Sequence, residues 1–205
     1  MGIFDSFKGK KAVAKDSVQT LTATELADML WNSISKLPSD DPGFIEELRS
    51  STELALDDFR NEVTYLLAFV NDFACHVGLE GASPAIRNAV RDAHEARVQS
   101  FVKQARCKPM PEGEWMGGLY LTTGEYPKDN HDPIRNLNDR FQLFSEAIRR
   151  GGKDQSVGEC VGKTFAGLCG TSDIAFIVGV STMAHRALHS SLNLARSQAH
   201  QIRLN

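Results

Sequence analysis

The amino-acid sequence predicts an all-α protein: a single-domain bundle of six to seven helices, interrupted by one long irregular loop at 107–132. Three observations predict it. Apolar residues recur at three- and four-residue spacing through most of the chain after residue 20. Helix-start signals stand directly before those stretches, at Thr22, Asp41-Pro42 and Ser83-Pro84. Strand signals are almost absent outside the loop.

Residues 1–20 read as an amphipathic, basic tail, and 21–205 as the bundle. In the first helix Thr22 and Glu25 have capping-box spacing, each able to satisfy a backbone donor that the helix itself leaves open. Leu26, Met29, Leu30, Ser33 and Leu37 share a stripe, and Pro38 stops it. Asp41 caps the next helix with Pro42 in its first turn. The pattern then runs to Val77, weakened at Ser50-Ser51-Thr52, with Phe59, Val63, Leu66, Leu67, Val70 and Phe73 inward. Gly78 is expected to close it in the left-handed conformation. Ser83 and Pro84 open a helix of about 24 residues, roughly 36 Å long, with Ile86, Val90, Val98, Phe101 and Val102 buried.

Three prolines and four glycines exclude a helix over 107–132. The stretch WMGGLYL suits a small hairpin turning at Gly117-Gly118. Twenty-six residues is long for a structureless connection in a compact domain. Three helices follow, near 134–150, 154–169 and 172–202. The last carries Ser181, Ala184, Ser191, Ala195 and Ala199 on one face. Such small residues let backbones approach, so this helix is expected at the centre.

The composition is that of an ordinary globule, 41% hydrophobic and 24% charged. A net charge of −3 argues against a whole-domain nucleic-acid binder. Charge is uneven, however. Eight acids lie in 39–62 and six bases in 84–108, which suits either the solvated faces of paired helices or a partner patch. Four cysteines without CxxC spacing, and no secretory h-region, point to a reducing, cytoplasmic setting. Residues 165–184 are apolar enough to be weighed as a membrane span. Asp173 and the turn signal Gly-Thr-Ser-Asp at their centre instead predict a break between two helices.

Several residues are candidates for chemistry. His185 and His189 are four apart, the spacing of paired helical metal ligands, and His94 falls on a buried stripe. Together with His76 they suggest a zinc or iron site built from facing helices. Against it, no Glu-x-x-His occurs, and Arg186 follows His185. In the loop, Trp115, Tyr120, Tyr126 and His131 offer stacking and acid–base groups for a ligand, unless the aromatics only pin the loop to the bundle. Gly162-Lys163-Thr164 echoes the end of a phosphate loop, but Val157 stands where its first glycine belongs. In the tail, Ile3, Phe4 and Phe7 face one way, with Lys8, Lys10 and Lys11 close by, a pattern that fits an anionic membrane surface or a docking partner. No nucleophile motif is present. The leading expectation is therefore a non-catalytic, self-associating interaction or scaffold protein without a cofactor. The alternatives are a histidine-based metal- or small-ligand-binding enzyme or sensor, and a peripheral membrane protein tethered by the tail.

Overall fold

A computed structural model gives the structure of residues 20–36, 40–116, 118–127 and 132–202. The described residues form seven α-helices and one two-stranded antiparallel sheet. The tail residues Ile3 to Lys11 and the loop residue His131 lie outside the described residues.

Local chemistry starts most of the helices. Helix α1 (Ala23–Ser35) opens on the expected capping box: the Glu25 amide donates to the Thr22 hydroxyl, and the Thr22 amide donates to the Glu25 carboxylate at 2.7 Å. Helix α2 (Pro42–Ser50) starts where the Phe44 amide donates to Asp41 Oδ1 at 3.1 Å. Helix α3 (Leu56–Gly78) is a separate rod, so the weak point at Ser51 is a real break. Helix α4 (Pro84–Ala105) is capped by Ser83. After the hairpin come α5 (Pro133–Gly151), capped by Asp132, α6 (Val157–Leu168), capped by Ser156, and α7 (Ile174–Gln198), capped by Asp173. The apolar stretch 165–184 is thus divided between α6 and α7, with Gly170 at φ +72° in the turn. Among the described residues no helix is long and apolar enough to cross a membrane.

One core draws on both sides of the loop. Phe59 of α3, Phe165 of α6 and Phe176 of α7 meet with ring centroids 6.1 Å apart, and each is essentially inaccessible. Helix α7 packs mainly on α6 and α3, the central position its small residues predicted. Its Ser181 faces Gly162 of α6 so closely that a Cβ on the glycine would lie 2.1 Å from the serine Oγ. A smaller cluster (Leu26, Leu30, Cys75, Leu79, Val90, Ala195 and Ile202) closes the end where the described chain begins and finishes. There the Leu21 amide donates to the Gln201 carbonyl at 3.0 Å.

One expectation is corrected. Gly78 does not take a positive φ; it is the last residue of α3. It is needed instead for closeness, because a Cβ there would sit 2.8 Å from that of Ala195. Part of each charged stretch lies on α3 and α4, which pack against each other. Among the described residues one ion pair joins the two stretches, Lys108 to Asp58 at 2.9 Å, while Arg97 reaches Asp28 on α1.

Candidate functional site

The 107–127 segment is ordered by its own hydrogen bonds. Strands β1 (Gly113–Met116) and β2 (Leu119–Thr122) pair in the register Gly113–Thr122, Glu114–Leu121, Trp115–Tyr120 and Met116–Leu119. The turn between them includes Gly118 at φ +83°, a backbone that glycine adopts without strain. Beyond the strands, the Glu112 amide donates to the Glu125 carbonyl at 2.7 Å, and the Thr123 amide to the Glu112 carbonyl at 2.8 Å. The hydroxyls of Thr122 and Thr123 also donate to that carbonyl.

Register and pleat give this hairpin two faces. The inner face carries Trp115 and Tyr120, whose rings meet at 5.7 Å. Tyr120 is buried, and its hydroxyl donates to the Pro111 carbonyl at 3.1 Å. The Arg150 guanidinium lies over Trp115 at 4.9 Å, a cation–π contact contributing about 0.5–1 kcal/mol at such a half-exposed place. The backbone itself rests on α6, since a Cβ on Gly167 would lie 1.6 Å from the Tyr120 carbonyl oxygen. Trp115 and Tyr120 therefore pin the hairpin to the bundle. The outer face carries Glu114, Met116, Leu119 and Leu121. Met116 is 60% exposed, Leu121 39% and Leu119 36%.

Beside the hairpin, α3, the end of α4 and the 106–111 segment enclose a cleft of about 380 Å³. Tyr126 borders it, apart from the other two aromatic candidates. Its floor holds a buried ion pair that links elements 78 residues apart. Arg140 Nε donates to Glu62 Oε2 at 2.8 Å, and Arg140 Nη2 bonds Glu62 Oε1. Arg140 Nη1 donates to the carbonyls of Lys108 and Asn136, each at 2.9 Å. The guanidinium also sits 5.3 Å from the Tyr65 ring centroid. Burial opposes the charge on Arg140, but the Glu62 charge and hydrogen bonds outweigh it, and the guanidinium stays firmly protonated. Burial likewise raises the Tyr65 phenol, and pushes the Cys107 thiol up to about 11. Both are neutral at physiological pH, so neither is an activated nucleophile.

The histidines are placed apart in role. His94 is 1% exposed, and its Nε2 is hydrogen-bonded to the Asn71 side-chain amide at 3.0 Å. Burial lowers its pKa to about 4. His185 and His189 lie on the exposed side of α7 with ring centroids 6.2 Å apart, and His189 Nδ1 meets Asn193. Among the described residues no three of His, Cys, Asp and Glu gather into a group suited to a metal ion. Gly162-Lys163-Thr164 lies inside α6, where Lys163 pairs with Glu159 at 2.7 Å.

The pairing of Arg140 with Glu62 escaped the sequence reading, although Asp58, Glu62, Arg106 and Lys108 fall in the acidic and basic stretches. Its signal was present: Arg140 interrupts the apolar stripe of Leu137, Phe141 and Phe144, and Glu62 lies beside Val63 and Leu66. No protein-family model, no curated protein and no solved structure matches this chain.

Proposed function

We propose that this chain is a non-catalytic interaction protein of helical-bundle architecture that binds a second copy of itself through the outer face of the hairpin. The observation that carries the reading is the apolar character of that face. The solvent side of an antiparallel pair is normally polar, yet Met116, Leu119 and Leu121 stand together there, with Glu114 as the one charged residue of the two strands on that face. Trp115, Tyr120 and Gly167 hold the hairpin rigid, so the face is presented ready-made. A two-fold contact needs no second kind of surface, because the same patch meets itself. The four cysteines are free and buried, in keeping with a reducing cytoplasmic setting.

Burying a large aliphatic side chain fully contributes about 1.5–3 kcal/mol. Three such residues, each already partly covered, give a weak contact once the cost of association is subtracted. Association is therefore expected at tens of micromolar chain and above. Light scattering from about 10 to about 200 micromolar tests this. The wild-type mass should rise toward a dimer, and a Met116→Ser/Leu119→Thr/Leu121→Thr variant should stay monomeric. A wild type that remains monomeric throughout, or a variant that dimerises equally, refutes the reading.

A further inference from the structure

The geometry points to a second binding site, distinct from the hairpin face: the cleft between α3, α4 and the 106–111 segment takes a small organic anion with an apolar body. At about 380 Å³ the volume lies within the range of small-molecule pockets, at its lower end. Leu54, Ala105, Pro109 and Leu168 line it on the apolar side. The prolines at 109 and 111 give the wall a fixed backbone.

Charge decides the class of ligand. Three cations, Arg106, Lys108 and Arg140, face two carboxylates, Asp58 and Glu62. Glu62 neutralises Arg140, and Asp58 neutralises Lys108. Arg106 is left over: among the described residues its guanidinium has no hydrogen-bond or ion-pair partner. The cleft thus carries one uncompensated positive charge at its rim. Arg140 adds a donor from below. Four of its five N–H groups are taken by Glu62, Lys108 and Asn136, and among the described residues the other Nη2 hydrogen has no acceptor.

A second, independent observation singles out the same residue. Arg106 has φ 52° and ψ 56°, and it is the one non-glycine residue with positive φ among those described. Glycine or asparagine suits that helix-terminal position better, and a side chain with a Cβ costs about 1 kcal/mol there. The position therefore keeps an arginine against its backbone preference, at the mouth of a cleft whose other charges are paired. A carboxylate bound to Arg106, with its hydrocarbon body against Leu54, Ala105 and Leu168, uses every one of these features.

The probes are naphthalene-2-carboxylate and its neutral isostere naphthalene-2-carboxamide, titrated by calorimetry at chain concentrations below those that give dimer. Methyl NMR shifts of Leu54 and Leu168 locate the binding. The carboxylate should bind at least tenfold more tightly than the carboxamide, lose affinity with added salt, and shift those methyls. Arg106→Asn keeps a residue that tolerates the left-handed backbone, and should weaken the carboxylate at least tenfold while leaving the carboxamide unchanged. Ala105→Trp fills the cleft from its apolar side, and should abolish both. Circular dichroism melts confirm that each variant is folded. No carboxylate binding at millimolar ligand, equal binding of the two probes, or wild-type affinity in Arg106→Asn overturns the proposal. Because the hairpin is untouched in these variants, its self-association is scored separately.

Discussion

Replacing Glu62 with glutamine leaves Arg140 charged, buried and without a counter-charge. Arg140 is 1% exposed, and two of its four hydrogen bonds go to the Glu62 carboxylate. The glutamine amide keeps one acceptor oxygen and presents an NH₂ group to the other N–H. Removing one member of a buried ion pair costs about 3–5 kcal/mol. The Glu62 side chain is 14% exposed, so water reaches the vacated position and the lower end applies, about 3 kcal/mol. For a domain of this size that is a fall in melting midpoint of roughly 6–12 °C. Removing Arg140 as Met should be at least as severe, because the carbonyls of Lys108 and Asn136 lose their donors, at about 1–3 kcal/mol for each one left dry. In the double variant the ionic part of the loss is counted once, so the cycle should show a coupling of about 2 kcal/mol. Urea unfolding followed by circular dichroism measures all three. A cost below about 1 kcal/mol for Glu62→Gln, with coupling near zero, would refute the view that this pair ties α5 to α3 and sets the cleft floor.

Other consequences follow from single residues. The unfolded chain protonates its histidines near pH 6.5, whereas buried His94 resists until about 4. Its contribution is complete above pH 6.5 and is lost as the pH falls toward 4, a loss of roughly 3 kcal/mol by the lower limit. Asp72, raised by burial, acts in the opposite direction around that limit and masks part of it. Urea midpoints from pH 7.5 down to 4.5 should therefore slope less in His94→Gln than in wild type, and equal slopes would contradict the assignment. Gly162→Val should cost more than about 2 kcal/mol by forcing α6 away from Ser181. Gly81→Ala, which meets nothing within 4 Å, should be neutral or stabilising by up to about 1 kcal/mol. Thermal melts that rank these two alike would show that helix contact is not what selects glycine in α6.

Much of the fold was legible because helix starts are local chemistry. The Thr22–Glu25 box, Asp41 before Pro42 and Ser83 before Pro84 each declare a terminus within four residues, and all three fall where the structure has them. The Gly117-Gly118 pair likewise announced a hairpin between two short strands. Features that depend on distant partners were not legible. A glycine required by a neighbour reads like one required by a turn, so Gly78 was taken for a cap when Ala195 is the reason for it. Gly162 likewise reads in the sequence as part of a phosphate-loop echo, whereas the close approach of Ser181 is what excludes a side chain there. Trp115 and Tyr120 carry the same composition as a ligand-binding loop, and only Gly167 and Arg150, far along the chain, reveal that they face inward. Arg140 and Glu62 each look like a surface charge until the other is placed beside it.

Contact between the hairpin's outer face and a second copy of the chain would shield the hairpin's amides. Hydrogen–deuterium exchange of the 112–123 peptide, measured on full-length protein on both sides of the association midpoint, tests it most directly. Exchange in that peptide should slow as concentration rises, with the remote Leu26–Ile34 peptide unchanged and no such slowing in the Met116→Ser/Leu119→Thr/Leu121→Thr variant. Exchange that is independent of concentration in the hairpin, or slowing confined to another surface, would contradict it.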